Sequence, residues 1–89
     1  MRIPSFTNQF GKDLKKMERR GKTLSKIKKV IRKLVSEERL EPKFKDHKLI
    51  GNCKGRRECH IESDWLLIYK LIDTEIIFER TGSHSDLFD

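Results

Sequence analysis

The chain has 89 residues, of which 39% are charged and only 35% hydrophobic; a chain this short buries only about 60% of its unfolded surface, so two separate cores are excluded and one domain over residues 1–89 is expected. Its formal charge of +7 is unevenly placed: residues 1–35 hold 12 Lys or Arg against 2 acidic residues, and residues 36–89 hold 9 against 12. The apolar positions are periodic, which argues for an ordered fold and against a disordered basic chain. A basic field at the front attracts polyanions, with nucleic acid the commonest and an acidic protein or anionic membrane the others; a solvated helix surface accounts for the charge equally well.

The longest apolar run, Trp65 to Tyr69, falls far short of the ~20 residues of a spanning helix, and the opening MRIPSFTNQF lacks the apolar core of a signal peptide. A cytoplasmic protein without a membrane association is expected, with Cys53 and Cys59 reduced.

The segment RIPSF predicts a short strand, with Pro4 confining it to an edge or a strand start. Phe6, Phe10, Leu14 and Met17 then fall on one helical face, with Thr7 or Asn8 as cap and Gly21 just past the end. A second helix is expected from Thr23 to Val35 or Ser36, because Leu24, Ile27, Ile31 and Leu34 repeat at helical spacing. With two residues between them, the helices fold back as a hairpin that needs a sheet to cover it. Residues 37–52 read as the main connection.

Three runs rich in Ile, Leu, Tyr and Phe follow, Gly55 to Glu62, Trp65 to Ile72 and Glu75 to Thr81, separated by Ser63-Asp64 and Asp73-Thr74. Two-residue gaps predict hairpins and an antiparallel meander. The expected fold is therefore α+β: an N-terminal helical hairpin on a four-stranded, mainly antiparallel sheet in the order β-α-α-β-β-β, with a short C-terminal segment.

Titratable groups gather at the ends of the last strands: His60, Asp64, Arg80 and His84, with His47 upstream. Zinc modules present paired ligands, whereas Cys53 and Cys59 are separated by five intervening residues with no partner set, and Cys59 and His60 are neighbours in a strand and point to opposite faces. No metal and no cofactor are expected. Cysteine nucleophilicity is weaker still, since a basic neighbourhood (Lys54, Arg56, Arg57) is poor evidence of a reactive thiol.

Acid–base chemistry on RNA fits the set better. Imidazoles can take the 2′-hydroxyl proton and protonate the leaving 5′-oxygen, and Arg80 offers a fork of donors to the phosphate. Trp65 and Phe88 are candidates for stacking on bases, although Trp65 opens an apolar strand and serves as well in a core. Lys54 and Arg57 are candidate substrate-binding cations. Lys12, Lys15, Lys16, Lys26, Lys28, Lys29, Arg32 and Lys33 are candidates for a sequence-independent grip on ribosomal RNA.

Taken together, KDHKLIGNCKGRRECHIESDWLLIYK and FERTGSHSDLF resemble the YafQ branch of the RelE superfamily of bacterial toxins over the whole chain. H-x-L-x-G, R-E-C-H-I-x-x-D-W-L-L-I-Y and R-T-G-S-H-S-D-L-F occur in order and at the family spacing. The resemblance implies metal-independent, ribosome-dependent cleavage of mRNA in the decoding site. It also implies neutralisation by a cognate DinJ/RelB-type antitoxin, in a hetero-oligomer that binds operator DNA through the antitoxin. It maps the family's functional positions onto His47, His60, Asp64, Trp65, Arg80, His84 and Phe88. Two departures stand out: Ser63 replaces a common proline before Asp-Trp, and Cys53 replaces an aromatic residue. The competing classes are a non-catalytic ribosome- or antitoxin-binding member of the same fold and a small metalloprotein.

Overall fold

The computed structural model describes residues 1–49 and 55–88. Its elements run β1 (Ile3–Phe6), α1 (Asn8–Arg19), α2 (Leu24–Val35), a 3-10 turn (Pro42–Phe44), β2 (His47–Lys48), β3 (Arg56–Glu62), β4 (Trp65–Ile72), β5 (Glu75–Gly82) and a five-residue α3 (His84–Phe88). The expected α+β class holds, but the sheet has five strands in the order β1-β5-β4-β3-β2. The additional strand, β2, comes from the segment read as a connection. It is two residues long, too short for any hydrophobic alternation to betray it.

Both helices start and stop where the residue chemistry allows. Thr7 caps α1 by accepting from the Phe10 N–H at 3.0 Å, and its hydroxyl donates to the Glu79 carbonyl at 2.8 Å, so one side chain starts the helix and ties it to β5. Gly21, at φ +85°, supplies the left-handed residue after α1. Phe6 belongs to the end of β1 and not to the first helical turn; its ring stacks on Phe78 with centroids 5.2 Å apart.

β1 lies parallel to β5, with Ile3 opposite Glu75 and Phe6 opposite Phe78. The β4–β5 hairpin turns through Asp73 at φ +50°, a conformation that Asp tolerates better than most residues. Residues on one side of β3 and β4 (Cys59, Ile61, Trp65, Leu67, Tyr69) meet Ile76 and Phe78 of β5 and the apolar stripes of the helices (Phe10, Met17, Ile27, Val30, Leu34) in one buried cluster. The alternate residues of β3 and β4, among them Glu58, His60, Leu66 and Ile68, point to the other side of the sheet. Among the described residues, no helix is long and apolar enough to cross a membrane.

Candidate active site

Strand register builds the site. His47 lies opposite Glu58, Glu58 opposite Ile68, and Ile68 opposite Arg80, so a single row crosses four strands. Directly opposed residues share a face. The next row places His60 opposite Leu66 and Leu66 opposite Gly82, two residues before His84. His47, His60, Arg80 and His84 are thus brought to one face and one end of the sheet, as their clustering in the sequence suggested.

Glu58, which sequence reasoning passed over, sits at the centre. Its side chain is only 6% exposed, with an Oε1 that lies 3.4 Å from His60 Nε2 and 4.0 Å from His47 Nε2. The signal was available in the alternation: in Glu58-Cys59-His60, residues two apart share a face, and the fully buried Cys59 shows which face is core. The burial of Cys59 pushes its thiol well above the ordinary range, so it is not a thiolate nucleophile.

Arg80 is set by α1. Asp13, almost fully buried, accepts from Arg80 Nε at 2.7 Å and Nη2 at 3.3 Å, and from the backbone N–H of Thr81 at 3.2 Å. Nη1 takes no part in these bonds. The carboxylate raises the arginine's pKa further and keeps it charged. Neither Asp64 nor the adjacent Glu79 plays this part; Glu79 pairs with Arg56 across the sheet.

The last turn is clamped by two carboxylates. Asp64, in the β3–β4 turn, accepts from the backbone N–H of His84 at 2.9 Å. Asp86 accepts from Ser83 N at 2.9 Å, while Ser83 Oγ accepts from Asp86 N at 3.2 Å, a reciprocal capping box that starts α3. Arg20 binds both Asp86 oxygens, at 2.6 and 3.0 Å, with Lys16 at 3.2 Å. These partners, Arg20 first, hold the Asp86 carboxyl far below the usual carboxylate range. The turn so fixed presents His84 and Phe88, exposed side chains whose rings are 5.1 Å apart.

Two expectations change. Trp65 is fully buried and its indole N–H donates to Thr81 Oγ1 at 2.9 Å, so it packs the core and has no face to stack on a base. Arg57 lies opposite Tyr69, on the helix side of the sheet, and bonds Asp46 and the Tyr69 hydroxyl. It anchors the chain before β2 and does not reach the titratable face. Lys54 and Cys53 lie outside the described residues.

Lys12, Lys15, Lys16, Lys26, Lys28, Lys29 and Arg32 are exposed on the helices, and Lys33 is half-buried. Lys26, Lys29, Lys33, Lys43 and Lys45 also rim a cleft of about 590 Å³ between α2 and the sheet that reaches His60. Lys22 and Lys26 both bind Glu62, at 2.7 Å each.

A helical hairpin packed on a sheet that gathers histidines, Glu58 and Arg80 at one end is shared with solved bacterial toxins. The crystal structure of the Escherichia coli DinJ–YafQ complex contains a chain that superposes with a TM-score of 0.94 at 41% identity, covering 100% of both chains. A metal-bound toxin from Helicobacter pylori superposes at 0.92 with 40% identity, over 99% of this chain and 100% of the other. The mRNA interferase toxin YafQ of Escherichia coli K12 is 43% identical over 84 residues, 93% of this chain and 91% of its own. The sequence profile of YafQ, bacterial toxin of type II toxin–antitoxin systems, matches residues 2–89, and the chain belongs to that family.

Proposed function

We propose that the protein is an mRNA interferase that cleaves translated mRNA on the ribosome without a metal, through attack of the RNA's own 2′-hydroxyl, and that a DinJ-type antitoxin encoded with it restrains it. The observation that carries this reading is the cross-strand row His47–Glu58–Ile68–Arg80, flanked by His60 and His84 on the same face.

Each role follows from position. The buried Glu58 and its neighbour His60 form a coupled pair able to accept the 2′-hydroxyl proton, with His47 as a second imidazole beside the carboxylate. Arg80, held by Asp13, places fixed positive charge where the phosphorane builds negative charge. His84 protonates the departing 5′-oxygen, leaving a 2′,3′-cyclic phosphate and a 5′-hydroxyl. Asp64 acts through His84, whose backbone it holds, and is a positioning residue. Phe88, beside His84 and half exposed, is the ring available for stacking on a base. The lysine-rimmed cleft gives RNA phosphates a path to His60, and the basic helices grip ribosomal RNA. An antitoxin with acidic segments covers part of the same surface.

The test is to map cut sites on an mRNA translated by purified ribosomes, with wild type, His84→Ala and Glu58→Gln. Wild type should cut only translated message, and each variant should lose at least about 100-fold in rate. Cleavage undiminished in both variants, or no cleavage by wild type, would overturn the reading. Binding to ribosomes should weaken steeply as salt rises; a flat salt dependence would remove the helix lysines from the account.

A further inference from the structure

We propose that Asp46, gripped on the helix side of the sheet by Tyr69 and Arg57, is the residue that positions His47 beside Glu58 on the other side, and that this clamp sets the rate of the proposed cleavage without touching RNA. The positional half stands on the geometry alone; its bearing on rate rests on the function proposed above.

β2 has little of its own to hold it. It is a two-residue edge strand, with His47 opposite Glu58 and Lys48 opposite Arg57, continued by one bond from the Leu49 N–H to the Arg56 carbonyl at 3.0 Å. The His47 ring is half exposed, 3.1 Å from the carbonyl of the next residue and 4.0 Å from Glu58. A short edge with so few buried contacts opens easily.

Asp46 supplies the missing anchor. Neighbours in an extended chain point to opposite faces, so with His47 beside Glu58 the carboxylate of Asp46 reaches the helix side. There Arg57 and Tyr69 stand directly opposite each other on β3 and β4. The Tyr69 hydroxyl donates to Asp46 Oδ1 at 2.5 Å, and Arg57 Nε lies 3.3 Å from both that oxygen and the Tyr69 hydroxyl. Arg57 Nη2 lies 3.3 Å from the second carboxylate oxygen. Tyr69 is 1% exposed and its ring belongs to the core cluster; burial first, and then the bond to Asp46, raise the phenol's pKa, so it stays a donor. Both oxygens of Asp46 are thus tied to groups that move only with the sheet. The chain turns into this clamp through Lys45, at φ +47° after the 3-10 turn.

One peptide unit joins Asp46 to His47, so a shift of the first carries the second with it. Released from Tyr69 and Arg57, the start of β2 is free to lift, and His47 moves away from the carboxylate it serves. A misplacement of about 1 Å at a reacting group costs about 100-fold in rate. Arg57, expected from the sequence to bind substrate, therefore acts on the site from behind the sheet.

A double-mutant cycle on programmed ribosomes, paired with NMR of the isolated protein, tests this. Asp46→Ala should lower kcat at least about tenfold while KM for the programmed ribosome stays within about twofold, since the clamp makes no contact with RNA. Tyr69→Phe, whose ring still fills the core, should lower kcat by about three- to tenfold. In a His47→Ala background the same substitutions should cost no further activity, because a residue that acts through His47 has nothing left to act on; a merely structural loss would persist there. Losses that multiply in that background, or wild-type kcat in both clamp variants, overturn the role in cleavage. In the spectra, the cross-strand NOE between the His47 and Glu58 amides should weaken in Asp46→Ala and in Tyr69→Phe, with NOEs across the β4–β5 hairpin unchanged. An NOE of wild-type intensity in both variants overturns the clamp itself, and should Asp46→Ala fail to fold, Tyr69→Phe decides by the same criteria. A wild-type protein that cuts no mRNA refutes the proposed function instead, and leaves the NOE to decide the clamp.

Discussion

Replacing Asp13 by alanine tests whether α1 holds Arg80 and β5 as the geometry indicates. Asp13 accepts from Arg80 twice, from the buried Thr81 N–H and from Gln9 Nε2 at 3.0 Å. In the alanine variant the Thr81 N–H is stranded away from water, a loss of about 1–3 kcal/mol. Arg80, 36% exposed, regains water, so its ion pair adds only about 1 kcal/mol or less. The expected cost is roughly 1–4 kcal/mol, a large part of the ~4–13 kcal/mol that a chain of this length possesses. At about 4–8 °C per kcal/mol for a domain of this size, Tm should fall by roughly 4–32 °C. Urea unfolding followed by circular dichroism gives the same quantity independently, provided the m-value is unchanged. Asp13→Asn keeps one acceptor for Thr81 and should fall between wild type and alanine, while cleavage drops because Arg80 loses its charged anchor. An alanine variant within about 0.5 kcal/mol of wild type would refute the reasoning.

Other outcomes follow from the same contacts. Trp65→Phe removes the N–H that Thr81 Oγ1 accepts and leaves a small void, costing about 1–3 kcal/mol; cleavage per folded molecule should match wild type, and a tenfold loss with the fold intact would return Trp65 to substrate stacking. Asp86 has a folded pKa far below its unfolded value, so its contribution is complete above about pH 4 and is lost as pH falls from there. The stability gap between wild type and Asp86→Asn, about 1–2 kcal/mol at pH 7, should therefore begin to narrow only below about pH 4 and keep narrowing well below pH 3; a gap constant from pH 7 to pH 2 would contradict it. In a Cys53→Ser background, Cys59 should resist alkylation in the native state and react on unfolding, because burial raises its thiol pKa and denies access; rapid native alkylation would place it elsewhere.

Local signals made most of the fold legible. Thr7, Gly21 and Thr23 delimit the helices, and the two-residue gaps at Ser63-Asp64 and Asp73-Thr74 give the hairpins. What escaped is pairing between distant segments: nothing in Ile3–Phe6 announces a parallel partnership with β5, and His47–Lys48 becomes a strand only because β3 offers an edge. The site divides in the same way. The clustering of His60, Asp64, Arg80 and His84 was visible, whereas Asp13, 67 positions from Arg80, had no local signature. Arg57 and Glu58 were within reach of simple alternation, since residues 57, 59 and 61 face the helices and 58 and 60 face away; the bulge after His60 does not disturb that parity upstream.

The parallel pairing of β1 with β5 has a consequence in time. β1 pairs only with a strand that follows it by some 70 residues, and the Asp13–Arg80 and Arg20–Asp86 pairs likewise join α1 to β5 and α3. Until β5 and α3 are available to fold, β1 has no neighbouring strand, Arg80 has no anchor and the turn carrying His84 is not formed. The residues before β5 therefore cannot assemble the candidate site on their own, and it takes shape only when β1, α1, β5 and α3 have all come together.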